Sequence, residues 1–142
     1  MNEPDVNHRL LLDTNVLIWT LSSSNKISRR AERAMSRPAV SLTVSVVSVW
    51  EIVLKHHAGK LRLPAGLHQV PGDLHQVIDQ ILYGSPWTIL PVTPEHLPAL
   101  AALPAIHTDP FDRLLIAQAR HEGMAILTAD EQFKRYDVRT VW

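Results

Sequence analysis

The chain has 142 residues, 46% of them hydrophobic, which suits one domain with a buried core and argues against a disordered chain. Fourteen Lys and Arg balance fourteen Asp and Glu, so no overall field draws in a polyanion and any nucleic-acid contact has to come from a local patch. The absence of Cys excludes disulfides and thiolate metal sites, and it fits a reducing compartment such as the cytoplasm.

The start, Met1 to Arg9, is polar and carries Pro4, unlike the charged-then-apolar start of a secretory signal. Residues 1–8 are expected as a disordered tail and 9–142 as a single domain. Leu10 to Leu12 is a short apolar run ending at Asp13, after which Val16, Leu17, Ile18 and Leu21 recur at helical spacing. This reads as strand, turn, helix. Ser28 caps a second helix running to about Arg37, with Lys26, Arg29, Arg30, Arg33 and Arg37 mostly on one basic face.

Val40 to Val44 reads as a second strand, and Ser45 or Ser48 then caps a helix carrying Val49, Trp50, Ile52, Val53 and Leu54, with Gly59 as its stop. The apolar stretch from Ala39 to Trp50 is interrupted by Ser and Thr and stopped by Glu51, too short to cross a bilayer, so no membrane segment is expected. Pro64 to Pro71 is loop-like, and Leu74, Val77, Ile78, Ile81 and Leu82 mark a helix broken by Gly84. Ile89 to Val92 is a third strand, Pro94 to about Leu103 a short helix, and Pro110 to about Glu122 a longer one ended by Gly123. Ala125 to Thr128 and Val138 to Val141 are the last strands. Strands alternating with helices predict an α/β fold, a parallel sheet of four to five strands flanked by helices on both faces.

In open parallel sheets, ligands bind beyond the carboxyl ends of the strands, so Asp13 and Asp130, each directly after a strand, point to a functional edge. Each also has a plain alternative as a helix or turn cap. Asp109 before Pro110 has the sequence of an N-cap, whereas Asp112, in the first turn behind an existing cap, is less easily explained that way. Glu51 is the least expected acid, set in an apolar helix where an unpaired carboxylate costs several kcal/mol and wants a cation. Its alternatives are a capping box with Ser48 or an ion pair with Lys55 four residues on. Several carboxylates held close repel one another unless a divalent ion neutralises them, and oxygen donors without Cys favour Mg²⁺ or Mn²⁺.

Leu10 to Asn15, Ser48 to Ile52, His107 to Ala119 and Leu127 to Asp130, in this order and spacing, resemble the acidic motifs of PIN domains, in particular the VapC-type toxins of toxin–antitoxin pairs. The resemblance runs from Leu10 to Trp142. It implies that Asp13, Glu51, Asp112 and Asp130 are the metal-binding acids, with Asp109 an extra acid of the site. It implies supporting hydrogen bonds from Thr14, Asn15 and Thr128, for which helix entry and strand-end capping remain equal alternatives. Arg113 beside the site, with the basic stripe, would hold the RNA backbone, grip an antitoxin or restrain the empty acidic cluster.

The function implied is an endoribonuclease that uses Mg²⁺ or Mn²⁺ and leaves a 5′-phosphate and a 3′-hydroxyl. The partners implied are RNA (tRNA, rRNA or mRNA), a small VapB-like antitoxin and a second copy in a homodimer. Metal activation of water needs no His base, so the eight His need not be catalytic. His56 and His57, one turn beyond Glu51, can share its face only one at a time. A haloacid-dehalogenase-like phosphotransferase also places Asp after the first strand but wants a second Asp where Asn15 stands. A catalytically idle binding module is the remaining alternative.

Overall fold

The computed structural model describes residues 8–22, 25–61 and 73–142. The expected tail, apart from His8, and the expected loop over 64–71 lie outside the described residues. In chain order the elements are β1 (Arg9–Leu12), α1 (Thr14–Leu21), α2 (Arg29–Met35), β2 (Ser41–Ser45), α3 (Val46–His57), α4 (Leu74–Tyr83), β3 (Thr88–Leu90), α5 (His96–Ala101), α6 (Pro110–Glu122), β4 (Ala125–Leu127), a 3₁₀ turn (Glu131–Arg135) and β5 (Thr140–Val141).

The strands form one five-stranded sheet in the order β3-β2-β1-β4-β5, every pairing parallel, as the alternation of elements predicts. Leu10, Leu11 and Leu12 are completely buried because β1 is the central strand and both its faces are covered. Successive side chains point to opposite faces. Leu10 and Leu12 pack with Val16, Leu17, Ile52, Val77 and Ile81 from α1, α3 and α4. Leu11 packs on the other face with Leu115, Ile116 and Ala119 of α6, together with Phe133 and Tyr136.

The local signals act as their chemistry requires. Ser28 Oγ accepts from the Ala31 N–H at 3.0 Å and starts α2. Of the two serines able to start α3, Ser45 does so, its Oγ accepting from the Val47 N–H at 3.0 Å. Ser48 is instead buried one turn in and receives the Thr14 hydroxyl. Gly123 ends α6 at φ +69°, a left-handed conformation that glycine adopts without penalty. Two strands are shorter than their apolar runs: β3 ends at Leu90, where Pro91 has no N–H to continue a ladder, and β5 begins at Thr140.

The order of strands fixes where chemistry can occur. From β1 the chain moves to β2 on one side, while β4 lies on the other. The segments leaving the carboxyl ends of β1 and β4 therefore diverge and leave a crevice between them. Asp13 follows β1 directly and Thr128 follows β4.

Candidate active site

One cleft, about 220 Å³ in volume, gathers acids from four separate segments, including Asp13, Glu51, Asp109, Asp112 and Asp130, and it is also lined by Lys55 and His107. A larger hollow beside Met35, Arg37 and Trp87 contains neither a carboxylate nor an imidazole, so size alone does not locate the chemistry.

Asp13 occupies the N-cap position of α1, yet its side chain makes no capping bond. Its Oδ2 accepts from the Thr128 hydroxyl at 2.8 Å, and Thr128 Oγ1 in turn accepts from the Asp130 N–H at 3.0 Å. One hydroxyl thus ties the end of β1 to the loop after β4. Thr14, which also lines the cleft, donates its hydroxyl to Ser48 Oγ at 3.0 Å, a buried bond that ties α1 to α3. Asn15 is exposed and lines the cleft.

Glu51 projects from α3 and is only 3% exposed. Lys55 Nζ lies 2.5 Å from its Oε2, while Oε1 is buried and has no hydrogen-bond partner among the described residues. The ion pair anticipated from the sequence therefore forms, but it lies inside the cleft and satisfies half of the carboxylate. Burial alone would lower the Lys55 ammonium, but Glu51, Asp109 and Asp112 outweigh it and hold the lysine above its usual range.

Asp109 is the N-cap of α6, its Oδ1 accepting from the Phe111 and Asp112 N–H groups at 2.8 and 3.1 Å. This is the capping role that the Asp-Pro sequence suggests, performed by an acid that also lines the cleft. Asp112, freed from capping, meets His107, with Nε2 to Oδ2 at 2.9 Å. His107 Nδ1 accepts from the Thr108 N–H at 3.1 Å, which leaves Nε2 as the donor to Asp112. Asp130 caps the 3₁₀ turn, Oδ1 accepting from the Gln132 N–H at 2.9 Å.

The electrostatics show that the acids sense one another. Burial pushes the Asp13 carboxyl up to about 6; hydrogen bonds from Thr128 and the Thr14 backbone oppose this, and Glu51 and Asp130 add to it. Burial pushes Asp112 up to about 8, with Asp13, Asp109, Glu51 and Asp130 all contributing repulsion. Carboxylates raised in this way by burial and by each other are ones that a divalent cation would stabilise in their ionised form. Donor atoms of His107, Asp112 and Asp130 can lie within 4.8 Å of one another, and Asp13 and Glu51 line the same cleft outside that triplet. The orphaned oxygen of Glu51 and the oxygen-rich donor set fit a hard divalent ion.

Two sequence expectations find a different setting. Arg113 does not line the cleft among the described residues; its Nη1 donates to the Pro104 carbonyl at 2.8 Å and to the Tyr136 hydroxyl at 3.2 Å. Since the same hydroxyl accepts from the His107 N–H at 2.6 Å, Arg113 braces the segment that presents His107. The exposed arginines of α2 lie on a helix that packs against β5, and none of them lines the cleft. Neither His56 nor His57 lines it.

Sequence reasoning passed over His107, whose signal is its place five residues before Asp112 in the same motif. It also passed over a buried polar chain beneath the sheet edge. There Ser45 Oγ donates to Gln118 Oε1 at 2.5 Å, and Gln118 Nε2 donates to the Pro91 carbonyl at 3.3 Å. His96 Nδ1 accepts from the Thr93 N–H and Nε2 meets Glu122 Oε1, both at 3.0 Å.

The structure is similar to that of VapBC2 from Rickettsia felis bound to a DNA fragment from their promoter, with a TM-score of 0.66, 16% identity and coverage of 93% of this chain and 96% of that one. It is similar to DNA-bound VapBC from Salmonella typhimurium, with a TM-score of 0.64, 16% identity and coverage of 93% and 96%. It is also similar to FitAcB from Neisseria gonorrhoeae, with a TM-score of 0.62, 20% identity and coverage of 92% and 95%. No curated protein matches the sequence. The family model described as PIN domain matches residues 10–139, from inside the central strand to the residue before β5, and the chain belongs to that family.

Proposed function

We propose that this chain is a divalent-metal-dependent endoribonuclease and the toxin member of a VapBC-like toxin–antitoxin pair. The observation that carries the reading is the meeting of Asp13, Glu51, Asp109, Asp112 and Asp130 in one cleft, with Glu51 Oε1 buried there and unpartnered among the described residues. Asp13, Glu51, Asp112 and Asp130 would hold Mg²⁺ or Mn²⁺. When bound, such an ion supplies an activated water for attack on phosphorus and charge stabilisation for the leaving oxygen.

The chain's own residues have separate tasks. Thr128 orients Asp13 and spaces it from Asp130 through one shared hydroxyl. His107 orients Asp112, and the Tyr136 hydroxyl, braced by Arg113, holds the His107 backbone. Trp50 and Phe111 meet edge to face at 4.8 Å, each one residue before a cleft acid in sequence. Trp50 is 54% exposed and offers a face on which an unpaired base can stack, which suits single-stranded RNA or a loop rather than a duplex.

The titles of the similar structures name VapBC and FitAcB assemblies. They support a small VapB-like antitoxin as a partner; from the resemblance of the motifs we propose that it covers the acidic edge and that the chain forms a homodimer. No described helix is long and apolar enough to cross a membrane, and we propose that the protein acts in the cytoplasm, where its RNA substrate resides. A haloacid-dehalogenase-like phosphotransferase is disfavoured by Asn15 and by the family match.

The test is cleavage of total RNA by the purified chain with Mg²⁺, Mn²⁺ or EDTA, followed by mapping of the cut ends. Metal-dependent cuts leaving 5′-phosphates, absent in Asp13→Asn, are expected. Cleavage that persists in EDTA or in Asp13→Asn would refute the reading, and a folded chain that never cuts RNA would point to an idle binding module.

A further inference from the structure

Among the described residues that line the acidic cleft, Lys55 is the one lysine or arginine. Its Nζ sits on Glu51 Oε2 at 2.5 Å, with the lysine side chain 41% exposed and that of the glutamate 3% exposed. The acid is thus fixed, while the cation, on a flexible four-carbon stem, has a route outward to solvent. The second oxygen of Glu51 is buried and has no partner among the described residues. An ammonium on one oxygen of a carboxylate and a divalent ion on the other would lie within a few ångströms, where like charges repel strongly away from bulk water.

We propose that Lys55 is the built-in counter-cation of the metal-free cleft and competes with the divalent ion for Glu51, so that the ammonium must swing outward for the ion to bind fully. The inference rests on the divalent-ion reading of the cleft. It gives Lys55 two consequences: the empty acid cluster is held together, and the affinity for metal is set below what the carboxylates alone would give.

The test is a Mn²⁺ titration of the full chain, with free Mn²⁺ followed by electron paramagnetic resonance, on wild type, Lys55→Met and Lys55→Arg. The methionine keeps the apolar stem without the charge and should bind Mn²⁺ about ten-fold more tightly, whereas the arginine should bind as wild type does. If wild type binds Mn²⁺ and Lys55→Met binds it no more tightly, this inference falls and the metal reading stands. If neither binds Mn²⁺, both fall. A second measurement needs no variant: reductive methylation of the wild-type chain, read by mass spectrometry, should label Lys55 faster with Mg²⁺ than with EDTA, relative to the other lysines. An unchanged labelling rate overturns the proposal.

Discussion

Asp13→Asn is expected to stabilise the metal-free protein above neutral pH while abolishing any metal-dependent activity. Burial, aided by Glu51 and Asp130, carries the Asp13 carboxyl from 3.8 to about 6. At about 1.4 kcal/mol per pH unit, the ionised carboxylate costs the fold about 3 kcal/mol once the pH exceeds both values. The folded-state value lies above the unfolded one, so the favourable contribution of the protonated group is complete below the unfolded value. It is lost as the pH rises through about 6. The amide introduced by Asp13→Asn can still accept the Thr128 hydroxyl that Asp13 Oδ2 accepts now, though without the added strength of a charged acceptor. The net gain should therefore be about 1–3 kcal/mol near pH 8, or roughly 2–10 °C in melting temperature for a domain of this size. Thermal melts by circular dichroism in EDTA, from about pH 5 to about pH 8.5, provide the assay. Wild type should lose stability across this range and the variant should lose less; Asp112, raised from 3.8 to about 8, gives both a further downward slope through the range that fades above about pH 8. A variant that melts below wild type near pH 8, or whose gain is as large near pH 5 where Asp13 is already protonated, would refute the reasoning.

Glu51→Gln should remove cleavage and also the rise in melting temperature that Mn²⁺ gives wild type, a rise worth about 2.7 kcal/mol when the ion stands at a hundred times its dissociation constant; parallel melts with and without Mn²⁺ check this. Thr128→Val deletes the hydroxyl shared by Asp13 and the Asp130 N–H and should cost about 1–3 kcal/mol near pH 8 in urea unfolding, with less loss at acid pH. Trp50→Ala should weaken RNA binding by about 1–3 kcal/mol in a fluorescence titration with a short single strand, while Mn²⁺ affinity stays as in wild type.

How much of this was legible in the sequence follows from the range of each signal. Asp13 after Leu12, Ser28 before α2, the Asp109-Pro110 pair and Gly123 are local features, each written in a few consecutive residues, and each lies where its chemistry requires. The sheet was legible for the same reason, since its central strand is a run of apolar residues buried on both faces. Groups whose role is set by distant partners were not. Arg113 lies next to Asp112 in sequence but turns toward Pro104 and Tyr136, because the hydroxyl of Tyr136 is delivered by the segment following β4. His96 carries no motif, and only the packing of α5 on α6 shows that Gln118 and Glu122 surround it. Lys55 was readable as a helical neighbour of Glu51, but its position inside the cleft depends on the third dimension.

The sequence set capping against function for several acids, and the structure shows that the two are compatible because a carboxylate has two oxygens. For Asp109 and Asp130 the capping bonds fall on Oδ1, for Asp112 the His107 contact falls on Oδ2, and for Glu51 the lysine sits on Oε2. For the three aspartates one oxygen serves the fold and fixes the side chain, which leaves the other oriented for the proposed cation, whereas the oxygen of Glu51 that Lys55 occupies has to be given up by the lysine. Preorganisation of this kind is costly in the empty protein, since the ionised acids are held in a partly dry cleft where they repel one another. Asp13 and Asp112 carry that cost: burial raises each of them first, and the carboxylates beside them add to it. A fold selected for stability alone would have amides at these two positions, so acids there are what the proposed cation site requires.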